Sequence, residues 1–404
     1  MREAGIFTGD SLHRLLARLG LGDPGYRGAT WRILVLLGIA WVPMAIAAGL
    51  DGHWLVVVDG RVLPRQSLTL DLATWAQTWG FIPLAMWGEV FIGRRMRDAL
   101  GYLGIVADPA DIARLDGWAL RLARTRVLHW VCVVFAFWFA WVWARTEIAD
   151  GANSWHSVVA GPDAAWYSGF LARDEWFTVA GAWVAFVMLP LFTFLWLRWV
   201  WKIGVWTAFL CTAFLARVSG LRLKLMAVHP DRTGGLGCLS NVQTSFSWIL
   251  GATGILVMAW LAYKLVWEGT PFTHLTIWLP LVGYIFLAPA VFLAPLFLFT
   301  SALAETKRRA RERLYPLTVD VAQDFRDRWL ALPTAGAEEL LHSRHSSHLA
   351  DLHAAHRAIE EMRVVPFDRR SALELFSSAA LPFAPLLFIA QLPEKLQAVI
   401  QLFS

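Results

Sequence analysis

The sequence predicts an all-α, polytopic transmembrane helical bundle of about seven spans, and three observations carry that prediction. The 404 residues are 57% hydrophobic and only 17% charged, against about 45–50% and about 25% in average soluble domains. The apolar residues are gathered into long runs, and roughly 18 or more in succession cross a bilayer core as helix. Lys and Arg fall on every second connection: five in 1–32, seven in 93–126, six in 198–241 and twelve in 301–371, with six of the 36 elsewhere. The short alternating strands of a β-barrel do not recur.

Taken in order, residues 10–22 form an amphipathic helix with Leu12, Leu15, Leu16 and Leu19 on one face. Gly20, Gly22, Pro24 and Gly25 end it. Arg14 and Arg18 suit it to an anionic leaflet. The spans follow as Trp31–Leu50, Leu72–Ile92, Val127–Trp143, Trp176–Leu197, Val242–Tyr263, Ile277–Thr300 and Ala372–Gln391. The first reads as an uncleaved anchor. The last carries Pro382 and Pro385, and if it is re-entrant the count is six. Asp59-Gly60 between apolar runs predicts a β-hairpin in the 51–71 connection.

The stretch 176–218 is apolar apart from Arg198, Lys202 and Arg217. Two spans there would invert every later connection and break the charge alternation. One span to Leu197 is therefore expected, with an interfacial helix near 203–226 whose cations snorkel. Residues 1–300 then hold six spans. Residues 301–371 form a helical hairpin on the ends of those spans, broken near Pro333–Gly336. Residues 372–404 form the C-terminal transmembrane or re-entrant segment.

Basic residues accumulate on the cytoplasmic side of membrane proteins. The alternation thus puts the N-terminus in the cytoplasm, and the +5 net charge follows from topology. The lipid bilayer is the first partner implied. The basic residues flank spans instead of forming one patch, so no nucleic acid is expected. Trp31, Trp75, Trp130, Trp143, Trp176, Trp196, Trp267 and Trp278 stand near span ends, where indole rings prefer the headgroup level. Cys132, Cys211 and Cys238 suggest no disulfide framework.

The sharpest motif is His229-Pro230-Asp231-Arg232-Thr233-Gly234-Gly235-Leu236-Gly237, on the cytoplasmic side. Pro230 stops a helix and Asp231 favours a turn. Gly234 and Gly235 permit positive φ, so successive N–H groups could form an anion nest. With His229 and Arg232, that nest would hold a phosphate, a carboxylate or a lipid headgroup; the alternative is a tight turn with Arg232 paired to an acid. Within the spans Glu89 is the clear ionisable group, and an intramembrane carboxylate is a functional candidate by default. In a transporter or channel it would line a wet cavity. His342, His345, His353 and His356 are weak metal candidates without Cys partners, and an exposed polar helix face explains them.

Hydrolase, zincin, phosphate-loop and Cys-x-x-Cys motifs are missing, and no cofactor is implied. The sequence therefore reads as a non-enzymatic component binding a cytoplasmic protein partner or an anionic ligand at its inner face. A transporter is the alternative, and an enzyme acting on a lipid phosphate through His229, Asp231 and Arg232 is a further one.

Leu221–Leu225, His229–Gly237, Leu349-Ala350-Asp351-Leu352 and Met362–Phe367, with a Pro-containing apolar segment after Arg370, resemble a group of uncharacterised bacterial multi-pass membrane proteins. The resemblance covers roughly the C-terminal half. It implies a bacterial inner-membrane location and brings no activity with it.

Overall fold

The computed structural model describes residues 11–23, 25–58, 61–63, 66–149, 154–159, 175–218, 224–266, 268–327 and 344–391. They form a helical bundle with two short two-stranded ribbons at one end. Helix α1 (Ser11–Arg18) buries Leu16 and leaves Leu15 and Leu19 exposed. It is tied to the next helix by Arg32, buried, which reaches the Gly28 carbonyl and His13 Nδ1 at 3.2 Å each. Helices α2 (Tyr26–Ala40) and α3 (Val42–Leu50) form one apolar helical segment with a break at Trp41, near Pro43. The strands of the expected hairpin are present, β1 (Val57–Val58) pairing antiparallel with β2 (Arg61–Val62), while Asp59-Gly60 lies outside the described residues.

Helix α4 (Leu72–Trp75) is capped by Asp71, which accepts N–H bonds from Ala73 and Thr74. A π segment, Ala76–Phe81, leads into α5 (Ile82–Val106). A second π segment, Val184–Met188, joins α8 (Val179–Trp183) to α9 (Leu189–Val218). Both π segments stand just before a proline, Pro83 and Pro190. Proline has no N–H for the carbonyl four residues back, and a wider turn accommodates the gap. Between these crossings lie α6 (Pro109–Ala123) and α7 (Arg126–Ala149). The second ribbon pairs β3 (Ser157–Val159) with β4 (Glu175–Phe177), so Trp176 belongs to a strand and the apolar helical segment that follows begins at Val179.

The break expected near Leu197 does not exist. Helix α9 runs on for 30 residues, and its C-terminal half packs on α6 with Val205, Trp206, Phe209 and Leu210 buried. The separate interfacial helix near 203–226 is thereby corrected: residues up to Val218 continue α9, and 224–226 are irregular. A single crossing still fits the charge alternation.

Helices α10 (Gly237–Ser245) and α11 (Ser247–Val266) are followed by α12 (Leu275–Leu293), a 3₁₀ segment Ala294–Phe299 and α13 (Thr300–Phe325). From Leu275 to Phe325 the helical path is unbroken for 51 residues, about 75 Å at 1.5 Å per residue. Helix α14 (Arg344–Glu361) packs on α13; the break expected near Pro333–Gly336 lies outside the described residues. Helices α15 (Arg369–Ala380) and α16 (Ala384–Gln391), joined by a 3₁₀ turn at Leu381–Phe383, pack on α11 and α12 with Leu375, Phe383 and Leu386 buried.

Five helical segments are long and apolar enough to cross a membrane: Tyr26–Leu50, Pro109–Thr146, Val179–Thr212, Gly237–Val266 and Leu275–Phe325. The other two expected spans, Leu72–Ile92 and Ala372–Gln391, are helical but fall outside these five. Glu89 and several Trp, Gln and Thr residues dilute the first, and the 3₁₀ turn divides the second. Helix α5 is nevertheless central, packed against α2, α10 and α11. On the periphery, α7 exposes Trp130, Val134, Phe135, Trp138 and Trp141, and α12 exposes Leu279, Phe286 and Leu287. Apolar faces of this extent suit lipid better than water.

Candidate functional site

The loop 224–236 is shaped by its own aspartate. Asp231 Oδ1 accepts the N–H groups of Thr233 at 2.8 Å and Gly235 at 3.1 Å, and Oδ2 accepts that of Gly237 at 2.9 Å. Gly234 and Gly235 take φ of +66° and +97°, and Arg232 takes +56°. The expected nest therefore forms, but its occupant is the Asp231 carboxylate, which also caps the start of α10. The anion cradle of free loop N–H groups is corrected accordingly. Partial burial works against ionisation of Asp231, yet the three backbone N–H groups outweigh it and hold its pKa below the ordinary value. His229 Nδ1 lies 2.7 Å from Asp231 Oδ1. The same Nδ1 accepts the Asp231 N–H at 3.3 Å, so both the backbone and the carboxylate of Asp231 hold the ring in place.

The hairpin of α13 and α14 clasps this loop. The Arg232 carbonyl accepts the Arg363 N–H at 2.7 Å, and the Arg232 guanidinium pairs with Glu361 at 3.2 Å. Lys307 Nζ donates to the Glu360 and Met362 carbonyls at 2.6 and 2.8 Å, closing the end of α14, while Arg311 binds the Glu360 carboxylate with two N–H groups. Gly234 is pressed against Leu303 and Met362, where a Cβ would stand 3.2 and 3.3 Å from their side chains.

A cavity of about 390 Å³ opens beside the loop, within the usual range for small-molecule sites. His229, Asp231 and Gly235 line it together with Ser240 and Asn241 of α10, and Tyr102 and Ile105 at the end of α5. The facing wall is the link after α14: Arg363, Phe367, Asp368 and Ser371. Asp368 caps α15 through the Ser371 N–H at 2.7 Å, and Ser240 Oγ bonds Ser371 Oγ at 3.0 Å. Arg363 stands 3.7 Å from Asp368, beyond hydrogen-bond reach. Of the five loop residues singled out from sequence, three face the cavity; Arg232 and Gly234 hold the loop to the hairpin. Arg363, Asp368 and Ser371 were missed, although the segments His229–Gly237 and Met362–Phe367 had been singled out together.

Glu89 sits elsewhere. It is 2% exposed, and both its oxygens are engaged from α9: Arg198 Nη1 at 3.0 Å and Nη2 at 2.5 Å, and Lys202 Nζ at 2.5 Å. The residues Arg198 and Lys202, read from sequence as snorkelling cations, are buried at 3% and 2%. Their four-residue spacing puts both on one face of α9. The wet cavity expected around Glu89 is not what its surroundings provide. A second buried polar link, Gln243, accepts the Trp206 indole N–H at 3.1 Å and donates to the Phe292 carbonyl, joining α9, α10 and α12.

Among the histidines, His353 is exposed and His356 half-buried on α14, His345 belongs to the same helix, and His342 lies outside the described residues. Among the described residues no three His, Cys, Asp or Glu side chains are placed to hold a metal ion. No family model matches the chain, and neither the curated proteins nor the solved structures provide a match.

Proposed function

We propose that the chain is a multi-pass component of a bacterial inner membrane, with its N-terminus in the cytoplasm, that binds a cytoplasmic partner or an anionic ligand at its inner face without itself catalysing a reaction. The observation that carries the reading is the cavity of about 390 Å³, whose walls come jointly from the ends of α5 and α10, the 224–236 loop and the link that follows the α13–α14 hairpin. Any occupant touches both the bundle and the hairpin. The loop N–H groups being taken, His229 and Arg363 are the side chains left to meet an anion. The five apolar helices and the resemblance of the C-terminal half to bacterial multi-pass proteins support the location, and the charge alternation supports the orientation.

A photo-crosslinking amino acid at Asn241 in the full-length protein, irradiated in cells, tests this. Capture of a discrete molecule or protein, reduced by Arg363→Gln, is expected. Irradiation that captures only bulk lipid, unchanged by that substitution, sinks the reading. The 2.7 Å contact of His229 with Asp231 beside the cavity favours one second reading, an enzyme acting on a lipid phosphate with His229 as acid or base. It requires a turnover by purified protein that His229→Ala abolishes.

A further inference from the structure

The cavity that carries the proposed function contains two carboxylates and one permanent cation, which is the wrong balance for a simple anion. Asp231 and Asp368 are both held below the ordinary carboxylate pKa. For Asp368 the cause is the Ser371 hydroxyl and N–H, with the Arg363 charge contributing less. Arg363 is the cation, and His229 adds charge only when protonated. A phosphate or carboxylate alone would meet Arg363 with the ionised Asp368 3.7 Å from it and Asp231 in the same cavity wall.

Each acid keeps acceptor capacity. Asp231 Oδ1 lies against Thr233, Gly235 and His229, whereas Oδ2 accepts the Gly237 N–H. Asp368 Oδ1 takes the Ser371 N–H, leaving Oδ2 near Arg363 without a hydrogen bond to it. The remaining wall at the end of α5 is apolar and open: Tyr102 and Ile105 are 60% and 68% exposed. From these features we infer that the cavity, on the reading that it takes a ligand at all, binds a zwitterion: a primary ammonium at Asp231 and Asp368, a phosphodiester or similar anion at Arg363 and His229, with any acyl chains leaving past Tyr102 and Ile105. Each acid stands beside a basic group, Asp368 3.7 Å from Arg363 and Asp231 2.7 Å from His229, so a ligand carrying both charges meets complementary partners and one carrying a single charge meets a like charge.

An aminophospholipid headgroup and a soluble amino-phosphodiester share this chemistry, and the test separates them. Full-length protein in a detergent free of aminophospholipid is titrated with glycerophosphoethanolamine, with glycerophosphoglycerol as the anion lacking an amine and ethanolamine as the amine alone. Binding of the first at least tenfold tighter than either fragment is expected. Arg363→Gln and Asp368→Asn should each weaken it tenfold or more, whereas Asp368→Asn should strengthen glycerophosphoglycerol binding, because it removes the negative charge beside Arg363. Asparagine preserves the helix cap, and circular dichroism with thermal melting verifies that both variants fold. Repeating the titration in nanodiscs identifies the source. Affinity lower in phosphatidylethanolamine than in phosphatidylcholine discs means the lipid occupies the site; equal affinity means a soluble ligand. Glycerophosphoglycerol binding as tightly as glycerophosphoethanolamine, or no binding of the latter, overturns the inference. If the Asn241 crosslink still captures a specific molecule in that case, the broader reading survives; if it captures none, both fall.

Discussion

At the scale of single residues, the buried charges do most to hold helices in register. Glu89 binds two cations across 109 and 113 positions of sequence. Removing one partner of a buried ion pair costs about 3–5 kcal/mol, because a desolvated charge is left behind. Glu89→Gln is therefore expected to lower the unfolding midpoint in detergent markedly, and Glu89→Leu combined with Arg198→Met and Lys202→Met should regain much of the loss. An unchanged midpoint in Glu89→Gln would show that the pairing is not structural. Asp231 makes a pH prediction. Its folded pKa is depressed, so it stabilises the protein above its unfolded value of about 3.9, and that stability is lost as pH falls through the folded pKa. Melting of the wild type should fall more steeply below about pH 4 than that of Asp231→Asn. Parallel curves would refute it. At Gly234, alanine meets both a φ of +66° and close neighbours, so Gly234→Ala should cost about 1–3 kcal/mol, read from the same melts.

At the scale of elements, legibility tracked how local the cause was. The pairing of β1 with β2 was readable because Asp-Gly between two apolar runs is a local hairpin signal. The positive φ at Gly234 and Gly235 was readable for the same reason. The occupant of the nest was within reach too: an Asp two residues before Thr233 and six before a helix-starting Gly237 is a cap geometry, but glycines and a helix start read equally well as a ligand cradle. The continuity of α9 was not legible. Arg198 and Lys202 look like a boundary until Glu89 is known to face them, and no periodicity within 176–218 contains that fact. Residues Arg363, Asp368 and Ser371 were hidden similarly, since they reach the site through packing of α14 and α15 more than 130 positions from the loop. The unbroken course of α12 into α13 is directly testable. Spin labels at Leu279 and Arg309, both exposed, should give a narrow distance near 45 Å, from 30 residues at about 1.5 Å each. A broad or shorter distribution would mean a hinge at the 3₁₀ segment Ala294–Phe299.

For the whole molecule, the ribbon-bearing end and the loop-bearing end differ in chemistry. The first has indole clusters, with Trp41 5.4–6.2 Å from Trp54, Trp75 and Trp79; the second has the arginines of α13 and the cavity. On the proposed orientation, an impermeant thiol reagent applied to intact spheroplasts should label Val58→Cys and spare Arg308→Cys, with the reverse in inverted vesicles. Labelling of both from one side would refute the topology.

The rod from Leu275 to Phe325 has a mechanical consequence. Its tip at Phe325 stands about 33 Å beyond Leu303, from 22 residues at about 1.5 Å each, and Leu303 is the residue against which Gly234 rests. Leu303 thus sits near the fulcrum of a lever whose long arm packs chiefly on α14. A sideways pull of a few ångströms at the tip becomes a small torque at Leu303, directly beneath the loop that walls the cavity. Whatever grips the far end of α13 holds a handle on the site.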